Sequence, residues 1–197
     1  LWSSMPDDEL TLAAGSGKLD TPGGLTTQID RMLRDDKANA FVEHFTDTWL
    51  RINTLGSMPP DPKAFETYYR DRLAELFKSE TRLFFSDLLE TNGSIVHFLD
   101  SDYTFVNDAL ATHYGISNIH GEHFRKVALR PEHRRGGLLG QGSILTLSAN
   151  GIETSPVVRG IWVLENILGT PPPPPPPDVP AIEPDTRGTT TIREQLD

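Results

Sequence analysis

The side chains best equipped for chemistry are six histidines, His44, His97, His113, His120, His123 and His133. Four of them fall between positions 113 and 133, and His120-Gly121-Glu122-His123 puts two imidazoles and a carboxylate close together. Neutral imidazole is the commonest metal ligand, which makes His120 and His123 the candidate ligands. The spacing departs from His-Glu-x-x-His, where two imidazoles share one helix face. His113 lies beside Tyr114 in a short helical stretch, where a lone imidazole serves either as a hydrogen-bonded structural group or as a ligand. The segment Arg125 to Arg135 carries five of the eighteen Lys and Arg residues. Its end, Arg134-Arg135-Gly136-Gly137, runs into a helix containing Gly140 and Gly142. Free N–H groups at a helix start together with arginines can hold an anion, whereas glycines there also let two helices approach closely. Both readings stay open for Arg134 and Arg135. Glu122, Glu132 and acidic helices are the alternative partners for this basic segment, and exposed pairs of that kind add little stability.

Other patterns fail on inspection. Gly15-Ser16-Gly17-Lys18 has Leu12 and Leu19 where a phosphate loop needs Gly and Ser or Thr, so it reads as a helix-ending turn. Counted from Asp100, a calcium loop would need Gly and Glu where Phe105 and Ala111 stand. Ser143 lacks the flanks of a nucleophile elbow. Asn92-Gly93-Ser94 matches a glycosylation acceptor but reads first as a helix stop.

Composition narrows the classes. The chain has 197 residues, 18 cations against 28 carboxylates, a formal charge of −10 and no cysteine. These residues therefore supply no disulfide, thiolate metal site, cysteine nucleophile or covalent c-type haem attachment. The acidic balance argues against nucleic acid as a partner, and no stretch of about 18 apolar residues is present to span a membrane. The opening Leu1-Trp2-Ser3 has neither an initiator Met nor a signal region, and Thr190 to Asp197 reads as a helix start without a stop. The expectation is a segment from the interior of a longer protein.

The elements that must position these residues are mostly helical. Ser4 is read as an N-cap with Pro6 inside the first turn, and Gly15 as a stop. Thr26 to Leu33 is a helix. Phe41, Phe45, Trp49 and Ile52 form an aromatic stripe at helical spacing. Asp61-Pro62 opens a pattern that runs to about Thr91, giving one long helix of about 45 Å at 1.5 Å per residue. Asp100 to Val106 is a loop of extended flavour, Asn107 or Asp108 caps a helix ending at Gly115, and Phe124 to Leu129 is a short strand. Leu138 to Leu147 is a small-residue helix. Thr154-Ser155-Pro156 opens the last helix, with Val157, Ile161, Leu164 and Leu168 as its buried stripe. Pro171 to Pro177 must take the extended polyproline II form and is read as a stiff spacer, with docking into an aromatic groove as the other role. The expected fold is all-α: an irregular helical bundle with a long central helix over 1–117, then a small helical module over 118–197 with the polyproline and polar tail.

Specific strings add a resemblance. Leu1-Trp2-Ser3-Ser4-Met5-Pro6-Asp7, Phe41 to Leu50, and Val106-Asn107-Asp108-Ala109-Leu110 through Ile116 resemble one module. Arg135-Gly136-Gly137-Leu138-Leu139, Asn150-Gly151, Thr154-Ser155-Pro156-Val157 and Trp162-Val163-Leu164-Glu165 through Pro180 resemble a second. Both are uncharacterised modules, adjacent to each other in large planctomycete-type proteins that also carry cytochrome c domains. The resemblance implies an exported parent, periplasmic or at the cell surface, with haem c in neighbouring domains and none in this segment. It implies those haem-bearing flanking domains as partners, and it transfers no catalytic residue. The leading expectation is an accessory, structural segment that packs against haem domains, with His113 as a haem contact and Arg134 and Arg135 as a propionate or anion site. Two other readings remain. One is an extracellular polysaccharide- or protein-binding module using Trp2, Trp49 and Trp162 as platforms. The other is an oxidoreductase or metal-dependent enzyme using the His113–His133 region.

Overall fold

A computed structural model describes residues 1–173; the run from Pro174 and the polar tail lie outside the described residues. The first element, α1 (Asp8–Gly15), is capped by Asp7, whose carboxylate accepts the Leu10 N–H at 2.9 Å. Ser4, the expected cap, instead sends its hydroxyl to the Met5 carbonyl. A carboxylate suits the positive helix end better than a hydroxyl, and Asp7 also receives Arg31 at 2.7 Å from α2 (Pro22–Leu33). Trp2 is buried under this hairpin and donates to the Met32 carbonyl.

The aromatic helix α3 (Asn39–Trp49) lies against α5 (Leu73–Glu90), clamped by a two-point bond from Arg82 to Asp47 at 2.7 and 2.9 Å. The expected single long helix over 61–91 is absent. Asp61 folds back to cap Lys63 and Ala64 as a turn, a short α4 (Glu66–Arg70) follows, and Arg72 then takes a left-handed conformation (φ 51°) before α5 begins. In an unbroken helix Tyr68 and Phe77 would stand about 13 Å apart along the axis. The break folds the two rings to 6.3 Å in one core.

The all-α expectation is also corrected. Tyr103–Val106 (β1) pairs antiparallel with Arg125–Ala128 (β2), Tyr103 opposite Ala128 and Val106 opposite Arg125. Alternation of half-buried and buried positions along β1 is the period-2 signature of a strand with one face inward. Between the strands, α6 (Asp108–Tyr114) starts on Asn107, whose side chain accepts the Leu110 N–H, and stops at Gly115. The small-residue segment is a 3-10 turn, Leu138–Gly140, followed by α7 (Gly142–Leu147). The fold is therefore mixed: eight α-helices and a two-stranded sheet among the described residues.

The last helix, α8 (Pro156–Asn166), starts on Ser155 as read, but rotated from expectation. Val157 and Leu168 are exposed, whereas Trp162 is buried and donates to the Leu50 carbonyl at 3.2 Å. The indole is the largest apolar surface on the helix and turns inward, carrying Val163 and Ile167 with it. One core joins Leu73, Phe77, Val106 and Leu110 to Val127, Leu129 and Leu147. The other joins Leu50, Ile52, Phe84 and Leu88 to Leu138, Ile144 and Trp162. Both draw side chains from either side of position 117.

Candidate functional site: a buried carboxyl network

Between the two cores lies a cluster of polar side chains. Glu80 sits mid-way along α5 with 1 % of its surface exposed. The Thr104 hydroxyl of β1 donates to its Oε1 at 2.5 Å, and the Tyr114 hydroxyl at the end of α6 donates to its Oε2 at 2.5 Å. The Tyr114 oxygen in turn accepts the Gly142 N–H, at the start of α7, at 2.8 Å. One helical position on, the Thr81 hydroxyl lies 2.7 Å from both Gln141 Oε1 and Ser143 Oγ. The Arg135 guanidinium covers the Tyr114 ring at 3.6 Å and donates to the Gly140 carbonyl at 2.6 Å.

Burial pushes the Glu80 carboxyl up to about 7, against the pull of its two hydroxyl donors and the Arg135 charge. Removing a carboxylate from water disfavours its charge more than these partners restore. Burial likewise drives the Tyr114 phenol well above its ordinary value, helped by the neighbouring carboxylate.

The loop that brings Arg135 in depends on glycine. Gly137 has φ 58°, and a Cβ there would meet the Phe98 and Leu99 carbonyl oxygens at 2.6 Å. A Cβ on Gly142 would fall 2.2 Å from the edge of Phe77. Beside Glu80 and Arg135 the remaining void is about 10 Å3, roughly the room for one water molecule. The side chains of the network pack against one another with little room left between them.

Residues 1–116 match the family model PSD4, described as "Protein of unknown function (DUF1592)", and residues 135–197 match PSCyt3, described as "Protein of unknown function (DUF1588)". The chain belongs to the PSD4 family. No curated protein and no solved structure matches it. The second family's name points to a cytochrome-associated setting, and neither description gives an activity. Seen with these boundaries, the network is a seam. Glu80, Thr81, Thr104 and Tyr114 come from the PSD4 region, whereas Arg135, Gln141, Gly142 and Ser143 come from the PSCyt3 region.

The residues singled out in the sequence fall around this seam or away from it. His113 precedes Tyr114 on the solvent side of α6, its ring 5.5 Å from Phe77. Partial burial there lowers its pKa, the Arg135 charge adding to the effect. Arg134 is exposed in a left-handed conformation, and Arg135 is the network member just described. His120 and His123 are exposed on a loop whose two carbonyls accept Arg125. Among the described residues no group of three or more His, Asp or Glu is placed to hold a metal ion. Two further cations of the basic segment pair with carboxylates, Lys126 with Asp87 at 2.8 Å and Arg130 with Glu132 at 3.2 Å. Trp2 and Trp162 are buried, which leaves Trp49 half-buried and no shared tryptophan platform.

Proposed function

We propose that this chain is a rigid accessory unit, without a reaction of its own, of an exported, multidomain haem-associated protein. The observation that supports it best is the seam. Two strongly perturbed ionisable groups among the described residues, Glu80 and Tyr114, are consumed in fastening the PSD4 region to the PSCyt3 region. A reactive site would hold such groups beside a substrate-sized cavity. Here both are buried, and the void beside Glu80 is about 10 Å3. The name of the second family and the resemblance of both halves to modules found beside cytochrome c domains supply the haem setting.

In this reading the unit fixes the spacing of haem-bearing neighbours, and haem c belongs to those neighbours. His113, solvent-accessible and neutral at pH 7, is the residue that would contact a neighbour's haem, and the exposed Arg134 would face its propionates. The test uses the natural protein that carries this segment, purified from a host that matures c-type cytochromes. The expected result is a reduced-minus-oxidised haem spectrum that survives Glu80→Gln unchanged in intensity. A colourless preparation overturns the reading. So does turnover of a substrate that Glu80→Gln abolishes while the fold is retained.

A further inference from the structure

Among the described residues the sheet consists of β1 and β2 alone, so β2 has a strand on one side only. The pairing fixes which of its backbone groups face outward. The Leu129 N–H donates to the Asp102 carbonyl at 2.6 Å, and the register continues with Val127 opposite Thr104 and Arg125 opposite Val106. In an antiparallel ladder, opposed residues alternate between pairs that exchange both backbone bonds and pairs that exchange none. Leu129, Val127 and Arg125 are therefore the bonded positions. Lys126 and Ala128 turn their N–H and C=O groups away from β1. Both residues are exposed, and these four groups have no partner among the described residues. The open stretch ends at Arg130, whose N–H already donates to His133 Nδ1 at 3.0 Å.

Charge along this edge is the reverse of the chain's. The formal charge of the whole is −10, yet residues 125–135 hold five cations and one carboxylate, Glu132. Arg125 is exposed, its hydrogen bonds go to the carbonyls of His120 and His123, and it makes no ion pair among the described residues. A second copy pairing through β2 would set Arg125 and Lys126 near their own counterparts, and like charges across a ladder are destabilising. Basic side chains on a short edge strand block such self-pairing. An acidic strand meets the opposite situation, because its carboxylates find the cations while its backbone completes the open groups. We propose that β2 is a docking edge for an extended, acidic segment of a partner protein, which joins the sheet as a third strand through Lys126 and Ala128. In strand addition of this kind, main-chain bonds supply affinity and the flanking side chains supply selectivity. Two edge residues offer up to four main-chain bonds, so attraction to the basic flank carries much of the binding and makes it sensitive to salt.

The probe is a fluorescein-labelled peptide of about eight residues, one strand's length, alternating glutamate with threonine and valine. It is titrated against the full chain by fluorescence anisotropy. Binding should saturate and weaken as salt is raised. It should fall at least about tenfold when lysine replaces glutamate, and by a similar factor when one of the two alternating sets of peptide amides is N-methylated, because main-chain bonds are lost. On the protein side, Ala128→Pro removes one outward N–H and spares the bonds to β1, a change that edge strands accept. It should weaken binding at least about tenfold, whereas Ala128→Ser, which keeps the N–H, should not. By NMR, the amides of Lys126 and Ala128 should shift on binding further than that of Val127, which faces β1. The N-methylated peptide decides the matter even if the proline variant fails to fold. No saturable binding, equal binding of the lysine peptide, undiminished binding of both N-methylated peptides, or larger shifts at Val127 would each overturn the proposal. Dimerisation of the chain through β2 that excludes the peptide would make a second copy the occupant and would equally overturn it.

Discussion

Glu80 gives the fold a pH response with a definite sign. Its folded-state value of about 7 lies above the ordinary 4.5. The folded protein therefore holds a proton that the unfolded chain has already lost between those two values. The contribution of Glu80 to stability is fully present below about pH 4.5 and is lost as pH rises to about 7, by an amount on the order of 3 kcal/mol. His113 works in the opposite sense: its lowered pKa favours folding as pH rises through the imidazole range. The two are separated by Glu80→Gln, which has no proton to lose. Urea unfolding midpoints from pH 4.5 to 8 should fall for the native chain relative to this variant. Parallel curves would mean that Glu80 is not desolvated. Tyr114→Phe removes the donor to Glu80 and leaves the Gly142 N–H without its acceptor. It should cost about 1–3 kcal/mol and move the Glu80 transition to higher pH. The sequence hid this site for a physical reason. Glu80 stands on the buried stripe Leu73, Phe77, Phe84, Leu88, yet a glutamate in an amphipathic helix reads as a solvated residue until its partners are known. Those partners, Thr104 and Tyr114, arrive from 24 and 34 positions away.

At the scale of elements, local signals were legible at the ends of α6 and at the start of α8, but not at Ser4, where Asp7 caps α1 instead. Ser155 before Pro156 started α8, and Asn107 and Gly115 bounded α6. Signals that depend on a distant neighbour misled. The 3.6 period ran through positions 65 to 88, and only the Tyr68–Phe77 contact explains why α4 and α5 bend apart at Arg72. The stripe chosen for α8 was apolar, but the Trp162 pocket in the core decides which face turns in. The strand Tyr103–Val106 became evident only with Arg125–Ala128 beside it. Arg72 holds a left-handed conformation that costs a non-glycine residue about 1 kcal/mol, so Arg72→Gly should raise the denaturation midpoint, while a lowered midpoint would show that its side chain is needed. Gly142→Ala puts a methyl 2.2 Å from Phe77 and should cost about 1–3 kcal/mol through overpacking, read as a drop in melting temperature. A neutral result would mean that α7 does not press on α5.

At the scale of the molecule, two family regions share two cores and one polar seam. Leu138 and Ile144 of the PSCyt3 region are fully buried among Leu50, Ile52 and Phe84 of the PSD4 region. Truncating Leu138 to alanine should therefore cost about 2–5 kcal/mol and loosen helices on both sides of the seam together. This joint was out of reach of the sequence, where the two sets of strings read as separate modules, because burial of Leu138 depends on a surface supplied some 50 positions away or more. The central claim is that the seam makes one cooperative unit, and native-state hydrogen exchange tests it most directly. The amides of Phe84 in α5 and of Ser148, which closes α7 by bonding to Ile144, should open with the same free energy and lose protection by the same amount in Tyr114→Phe. If α7 exchanges at a lower free energy than α5, and Tyr114→Phe widens the gap, the two regions are separate units resting against each other, and the account is contradicted.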